Sequence, residues 1–176
     1  ILPFAGYLMP INYLDGIQSE YQSVRNNVGV FDVSHMGKIQ IEGKKAIDLI
    51  EKITTNNSSI LQTGDAQYSA ICNENGGIID DIILYKFSNK KFMLIVNASN
   101  CHKVYKWIID INLYDCIISN KSSEFSLIAI QGPSSRKLLE NILIKKIDLK
   151  FYSHRFYSYK SKNILLSRTG YTGELG

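Results

Sequence analysis

Two adjacent acids, Asp80 and Asp81, stand between the turn Asn75-Gly76-Gly77 and the apolar run Ile82-Ile83-Leu84-Tyr85. A carboxylate is costly to bury without a partner, so acids in so apolar a setting are paired or used. Neighbouring side chains of a strand point to opposite faces. That alternation predicts Asp81 on the face of Ile79, Ile83 and Tyr85, and Asp80 beside Ile78, Ile82 and Leu84. One acid can then meet a ligand while the other meets solvent or a donor on the opposite face. Two acids closing a hairpin turn would produce the same pattern for structural reasons alone.

Three further glycine-bearing clusters stand out: Phe31-Asp32-Val33-Ser34-His35-Met36-Gly37, Gln131-Gly132-Pro133, and Arg168-Thr169-Gly170-Tyr171-Thr172-Gly173-Glu174. Glycine at such points permits tight turns or a close approach of backbone to ligand. Tyr68, Tyr85 and Tyr171 offer flat surfaces with a hydroxyl handle, although each could equally be a half-buried core residue. Neither GxxxxGK[ST] nor GxGxxG occurs, so a nucleotide phosphate loop is unsupported. His35, His102 and His154 are too dispersed for a metal-ligand spacing, and no metal is expected. Cys101 and His102 are neighbours on a helix and do not face each other, which argues against a nucleophile–base pair.

The elements that must position these residues follow from periodicity. The chain has 176 residues, 45% of them hydrophobic and 20% charged, which is a globular composition. A net charge of +4 without a basic cluster gives no support for nucleic-acid binding. Three cysteines without a CxxC pair suit a reducing compartment, and no run approaches the roughly 18 apolar residues of a membrane span. Helices are predicted over 16–27, through the stripe Ala46, Leu49, Ile50 and Ile53, over 100–111, and over 135–144 behind a Ser134 cap. Strands are predicted at 39–41, 66–73, 78–87, 91–97, 113–118, 125–130, 151–159 and 163–168. Closely spaced strands with short turns favour antiparallel sheets with packed helices, hence an α+β fold.

Taken in order, these clusters resemble the glycine cleavage system T protein family, the tetrahydrofolate-dependent aminomethyltransferases. The matching stretches are Pro3-Phe4-Ala5-Gly6, Phe31 through Gly37, Asn73 through Asp81, Val96-Asn97-Ala98, Gln131-Gly132-Pro133, and Arg168 through Glu174. The resemblance implies a folate-binding aminomethyltransferase-like fold. A middle domain (40–148) is expected beside a discontinuous, incomplete one (1–39 and 149–176). The C-terminal barrel domain of the family is expected to be absent from these residues, which read as an N-terminal and central fragment. It also implies an activity: transfer of the one-carbon unit from the aminomethyl-lipoyl arm of H protein to tetrahydrofolate. Ammonia is released and 5,10-methylenetetrahydrofolate is formed. Asp81 matches the family's key acidic residue, and Tyr68, Val96, Asn97 and Tyr171 match positions lining its folate pocket, with Glu174 in the same motif as Tyr171. Lipoylated H protein is the implied partner, without nucleic acid or membrane, in bacterial cytoplasm or mitochondrial matrix.

The chain also departs from the family pattern. Gly6-Tyr7-Leu8-Met9-Pro10 replaces Gly-Trp-Glu-Met-Pro, and Asn57, Val104 and Leu175 stand where Asp is common. Several of these changes are expected in loops that could touch the partner protein. Two relatives keep the fold with another function. Folate-binding proteins of iron–sulfur maturation and tRNA modification carry a cysteine where this chain has Arg168-Thr169-Gly170-Tyr171, and they lack the Gly-Gly-Ile-Ile-Asp-Asp cluster. Sarcosine and dimethylglycine dehydrogenases would need a flavin domain upstream. A non-catalytic folate-binding remnant is the alternative from a different class.

Overall fold

Alternation of apolar residues over Gly37–Glu42, Lys91–Val96 and Ile78–Ser88 produces the centre of the structure, a computed structural model that describes every residue except Tyr171. The chain runs β1 (Leu2–Phe4), β2 (Tyr7–Met9), α1 (Gly16–Asn26), β3 (Gly29–Asp32), β4 (Gly37–Glu42), α2 (Ala46–Ile53), β5 (Ala66–Cys72), β6 (Ile78–Ser88) and β7 (Lys91–Val96). It continues through a short 3-10 turn (Ala98–Asn100) into α3 (Cys101–Asp110), β8 (Ile117–Asn120), β9 (Ile128–Gln131), α4 (Ser135–Leu143), β10 (His154–Tyr159) and β11 (Lys162–Ser167). Among the described residues every strand pairing is antiparallel, and the α+β class expected from the sequence holds.

Two compact units divide the chain: Ser34–Ser126, and Ile1–Val33 together with Leu127–Gly176. The middle unit is one five-stranded sheet in the order β5-β6-β7-β4-β8, with α2 and α3 against one face. Ile39, Ile41, Leu84, Phe92, Leu94 and Val96 point into that face and are wholly buried. The predicted stripe of α2 is the face that packs on them, with Ala46, Leu49 and Ile50 fully buried. On α3, Val104 and Ile108 do the same. Burial of each such side chain contributes about 1.5–3 kcal/mol, which makes this layer the main source of the unit's stability.

The other unit is built from pieces distant in sequence. It contains the hairpin β1–β2, the pair β3–β9 and the hairpin β10–β11, each a two-stranded sheet. The stretch 127–148 groups with the termini because β9 pairs with β3, from Gly29–Gln131 to Asp32–Ile128. Its core cluster is small: Ile147, Leu149 and Tyr157, with Leu139, Leu143, Ile164 and Leu166 packed on them.

Several elements differ from the periodicity reading. The strand expected at 113–118 begins only at Ile117. Before it, the Asn112 side chain donates to the Cys116 carbonyl at 2.8 Å, and Asp115 takes a left-handed φ of 54°, so the segment is a loop. The β1–β2 hairpin was not expected. Its turn places both Ala5 (φ 48°) and Gly6 (φ 84°) at positive φ, and alanine there is not a usual turn signal.

Candidate functional site

The strand carrying the two acids does not alternate as simply as the sequence predicts. Ile71 pairs with Asp80 but Cys72 pairs with Ile78, so Ile79 is the extra residue of a β-bulge. The bulge tucks Ile79 into the core (7% exposed) and leaves Ile78 outside (71% exposed). Asp81 therefore does not share a face with Ile79. Beyond the bulge the alternation holds: Asp80, Ile82 and Leu84 are buried, while Asp81 is exposed.

The two acids consequently have separate environments. Asp80 is 3% exposed and surrounded by donors. Its Oδ2 accepts from the Asn97 backbone N–H at 2.9 Å, and its Oδ1 accepts from Asn97 Nδ2 at 2.9 Å and Asn100 Nδ2 at 2.6 Å. Asp81 opens to solvent. Its Oδ1 accepts from Asn97 Nδ2 at 2.9 Å and its Oδ2 accepts from the Tyr68 hydroxyl at 3.2 Å. Tyr68 reaches it from β5, where Ala70 is the residue directly opposite Asp81. Asn97 follows the end of β7 and starts the 3-10 turn, so its amide lies between the two acids.

Tyr68, Asp81 and Asn97 thus come together as one polar cluster. Val96 does not join it with its side chain, which is fully buried in the core beneath Gly37. Tyr85 is likewise buried, at 7% exposure. The Asp80–Asn100 contact was not anticipated. Its only sequence signal is an Asn at a helix start, which ordinarily reads as a cap. Cys101 and His102 are both on α3, and the three cysteines carry free thiols. Burial, with Asp115 and Asp48 adding to it, pushes the Cys116 thiol up from its ordinary value.

In the unit formed by the termini, the Gln131-Gly132-Pro133 and Arg168–Glu174 motifs fold onto each other. Gln131 is 5% exposed, donates to the Thr169 carbonyl at 3.3 Å, and accepts from the Thr172 hydroxyl at 3.1 Å. Gly170 lies so close to the Gln131 amide that a Cβ would overlap it, and its φ of 148° is one that side chains rarely adopt. Gly132 N–H donates to the Leu175 carbonyl at 2.7 Å. Glu174 Oε1 accepts from Arg25 at 2.9 Å, and this hydrogen bond, ahead of that from Tyr21, pushes the Arg25 guanidinium up from its ordinary value. Tyr171 lies outside the described residues.

The departures also find places. Asn57 Oδ1 accepts from the Ser59 N–H at 3.0 Å, an acceptor role that an aspartate would fill. Val104 is a core residue rather than part of a charged surface. Leu175 acts through its carbonyl, with its side chain 53% exposed.

The family model for the GCVT N-terminal domain matches residues 1–176, from end to end. The chain belongs to this family. Curated relatives named aminomethyltransferase include one from Halothermothrix orenii, 42% identical over 177 residues, and one from Flavobacterium psychrophilum, 43% identical over 178. Each match covers 100% of this chain and 49% of the relative. The chain therefore spans about half the length of the curated relatives it matches. Among solved structures, the glycine cleavage system aminomethyltransferase T from Bartonella henselae superposes with a TM-score of 0.87 at 31% identity, covering 98% of this chain and 47% of that one. The GCVT N-terminal domain here thus has the fold of that structure. Among its described residues no group of three or more His, Cys, Asp or Glu could hold a metal ion, and no helix is long and apolar enough to cross a membrane.

Proposed function

We propose that this chain forms the folate-binding part of an aminomethyltransferase of the glycine cleavage system. The reaction transfers a one-carbon unit from the aminomethyl-lipoyl arm of H protein to tetrahydrofolate. The carbon loses its bonds to nitrogen and to the lipoyl sulfur, ammonia and the dihydrolipoyl arm leave, and two folate nitrogens close on the carbon. The observation that carries this reading is the exposed Asp81 carboxylate, held on one oxygen by the Asn97 amide and on the other by the Tyr68 hydroxyl.

A carboxylate oriented in this way suits the task. Transfer depends largely on holding the folate amine in line with the activated carbon. Asp81 accepts hydrogen bonds from folate N–H groups and stabilises the positive charge that builds as the amine attacks. Orientation and electrostatic stabilisation, rather than proton abstraction, are the role assigned to Asp81. Tyr68 and Asn97 hold that carboxylate and border the substrate, and Val96 serves by packing, its side chain being enclosed. Tyr171 and Glu174 are assigned to folate binding through the motif they share. H protein is the partner, and the compartment is one that houses the glycine cleavage system, bacterial cytoplasm or mitochondrial matrix.

The test is tetrahydrofolate-dependent ammonia release from aminomethylated H protein, measured on the full-length gene product. Asp81→Asn is expected to lower turnover by about 10²–10³-fold, the usual cost of losing one preorganised electrostatic contact at a reacting centre. Normal turnover in Asp81→Asn would remove Asp81 from the reaction. Folate binding without any ammonia release would favour the iron–sulfur relatives or a non-catalytic remnant.

A further inference from the structure

We infer that Asp80, the buried neighbour of Asp81, is a positioning residue that fixes Asn97 and, through it, the Asp81 carboxylate. The inference rests on the transferase reading above and names how its central group is held.

Three donors converge on Asp80: the Asn97 backbone N–H on Oδ2, and the side-chain amides of Asn97 and Asn100 on Oδ1. An ionised carboxylate accepts at both oxygens and donates at neither. An asparagine at this position presents one acceptor and one donor, so at least one of the three donors would face another donor. At 3% exposure no bulk solvent reaches the carboxylate to replace a lost partner. Charge, shape and burial therefore all select aspartate at position 80.

Asn100 supplies an independent observation. It occupies the N-cap of α3, where an Asn side chain ordinarily accepts from the helix's free N–H groups, yet it makes no capping hydrogen bond. Its amide turns instead to Asp80 at 2.6 Å. The contact ties the start of α3 to the start of β6, and Asn97 hydrogen-bonds to the same carboxylate. Asn97 in turn delivers its Nδ2 to Asp81 at Oδ1 (2.9 Å) and at the backbone carbonyl (3.2 Å). The route from Asp80 to Asp81 runs through a single amide group, so the orientation of that amide is what Asp80 controls.

The experiment uses the full-length gene product as parent, Asp80→Asn, Asn97→Ala and the double variant. Turnover and KM for tetrahydrofolate are measured together with melting temperature and the side-chain amide NMR signals of Asn97 and Asn100. Asp80→Asn is expected to lower kcat by about 10–100-fold, the cost of a misplaced charge-assisted contact, with KM changed less than about threefold. In the Asn97→Ala background the same change is expected to cost less than about twofold more, because residues acting through one another are not additive. A kcat left intact while only the melting temperature falls would overturn the inference, as would effects that multiply in the double variant. If Asp80→Asn does not fold, Asn100→Ala removes one donor more gently. A fall in kcat of several-fold is then expected, and an unchanged kcat overturns the inference. A parent without tetrahydrofolate-dependent turnover counts against the transferase reading alone. The amide spectra then decide: Asn97 signals that shift in Asp80→Asn support positioning, and unshifted signals refute it.

Discussion

Asp80 and Asp81 are identical in chemistry and adjacent in sequence, and their difference comes entirely from which side of one strand each occupies. Asp80 spends its charge on three internal donors, whereas Asp81 has two partners and an open side. Exposure is what makes Asp81 available to a ligand. Glu174 is a different case, an acid paired with Arg25 at a partly exposed position. Screening by solvent leaves such pairs little influence on folding. Glu174→Gln is therefore expected to leave the melting temperature nearly unchanged while weakening tetrahydrofolate binding, measured by calorimetry on the full-length protein. A large fall in melting temperature without loss of binding would make Glu174 structural.

The elements hold these residues through close contacts and edges. Gly37, at the start of β4, has no room for a side chain. A Cβ there would lie under 3.0 Å from Val96 Cγ2 and from Cys101 Sγ, one on the neighbouring strand and one on α3. Gly37→Ala is expected to destabilise by about 1–3 kcal/mol through overpacking, read as a lower urea midpoint. The opposite end of the β4–β7 pair carries the ion pair Glu42–Lys91 at 2.8 Å, whose two side chains are 37% and 43% exposed. Lys91 is the main cause that holds the Glu42 carboxyl below its ordinary value. A depressed folded-state pKa contributes stability above the unfolded value, about pH 4.3, and that contribution disappears as pH falls through the folded value. Lys91→Ala is expected to cost about 0.2–1 kcal/mol at pH 7 and almost nothing near pH ~3, compared by urea unfolding at the two pH values.

At the scale of the molecule, apolar surface is distributed unevenly. The middle unit encloses nearly all of the fully buried hydrophobic residues, whereas Ile147, Leu149 and Tyr157 are the buried core of the unit formed by the termini. That second unit also exposes Leu2, Phe4, Leu8, Leu14, Ile17 and Val30, each more than half accessible. Two-stranded sheets are marginal without a further layer, and apolar surface of this extent usually has a cover. Residues 34–126 expressed alone are expected to unfold cooperatively, with one transition by circular dichroism. Residues 1–176 alone are expected to bind an apolar dye more strongly than the full-length gene product does. Equal dye binding would mean that this surface stays open in the complete protein.

Much of this was legible without coordinates, and the limits have physical causes. The stripes of α2 and α3 and the strands β5, β6 and β7 are local patterns, in which neighbouring residues share one environment and periodicity reports it directly. The six motifs in order were sufficient to identify the family, because glycines and acids at turns tolerate few replacements. Tyr68, Asp81 and Asn97 could be named as a group for the same reason. Sequence could not reveal the bulge at Ile79, which depends on how β6 pairs with β5, nor the β3–β9 pair, whose strands lie far apart along the chain. It could not show that Val96 is enclosed or that Asn100 abandons its cap for Asp80. The residue types that make this site were written in the sequence; which of two neighbouring aspartates faces outward was decided by strand pairing, since pairing alone determines what each side chain meets.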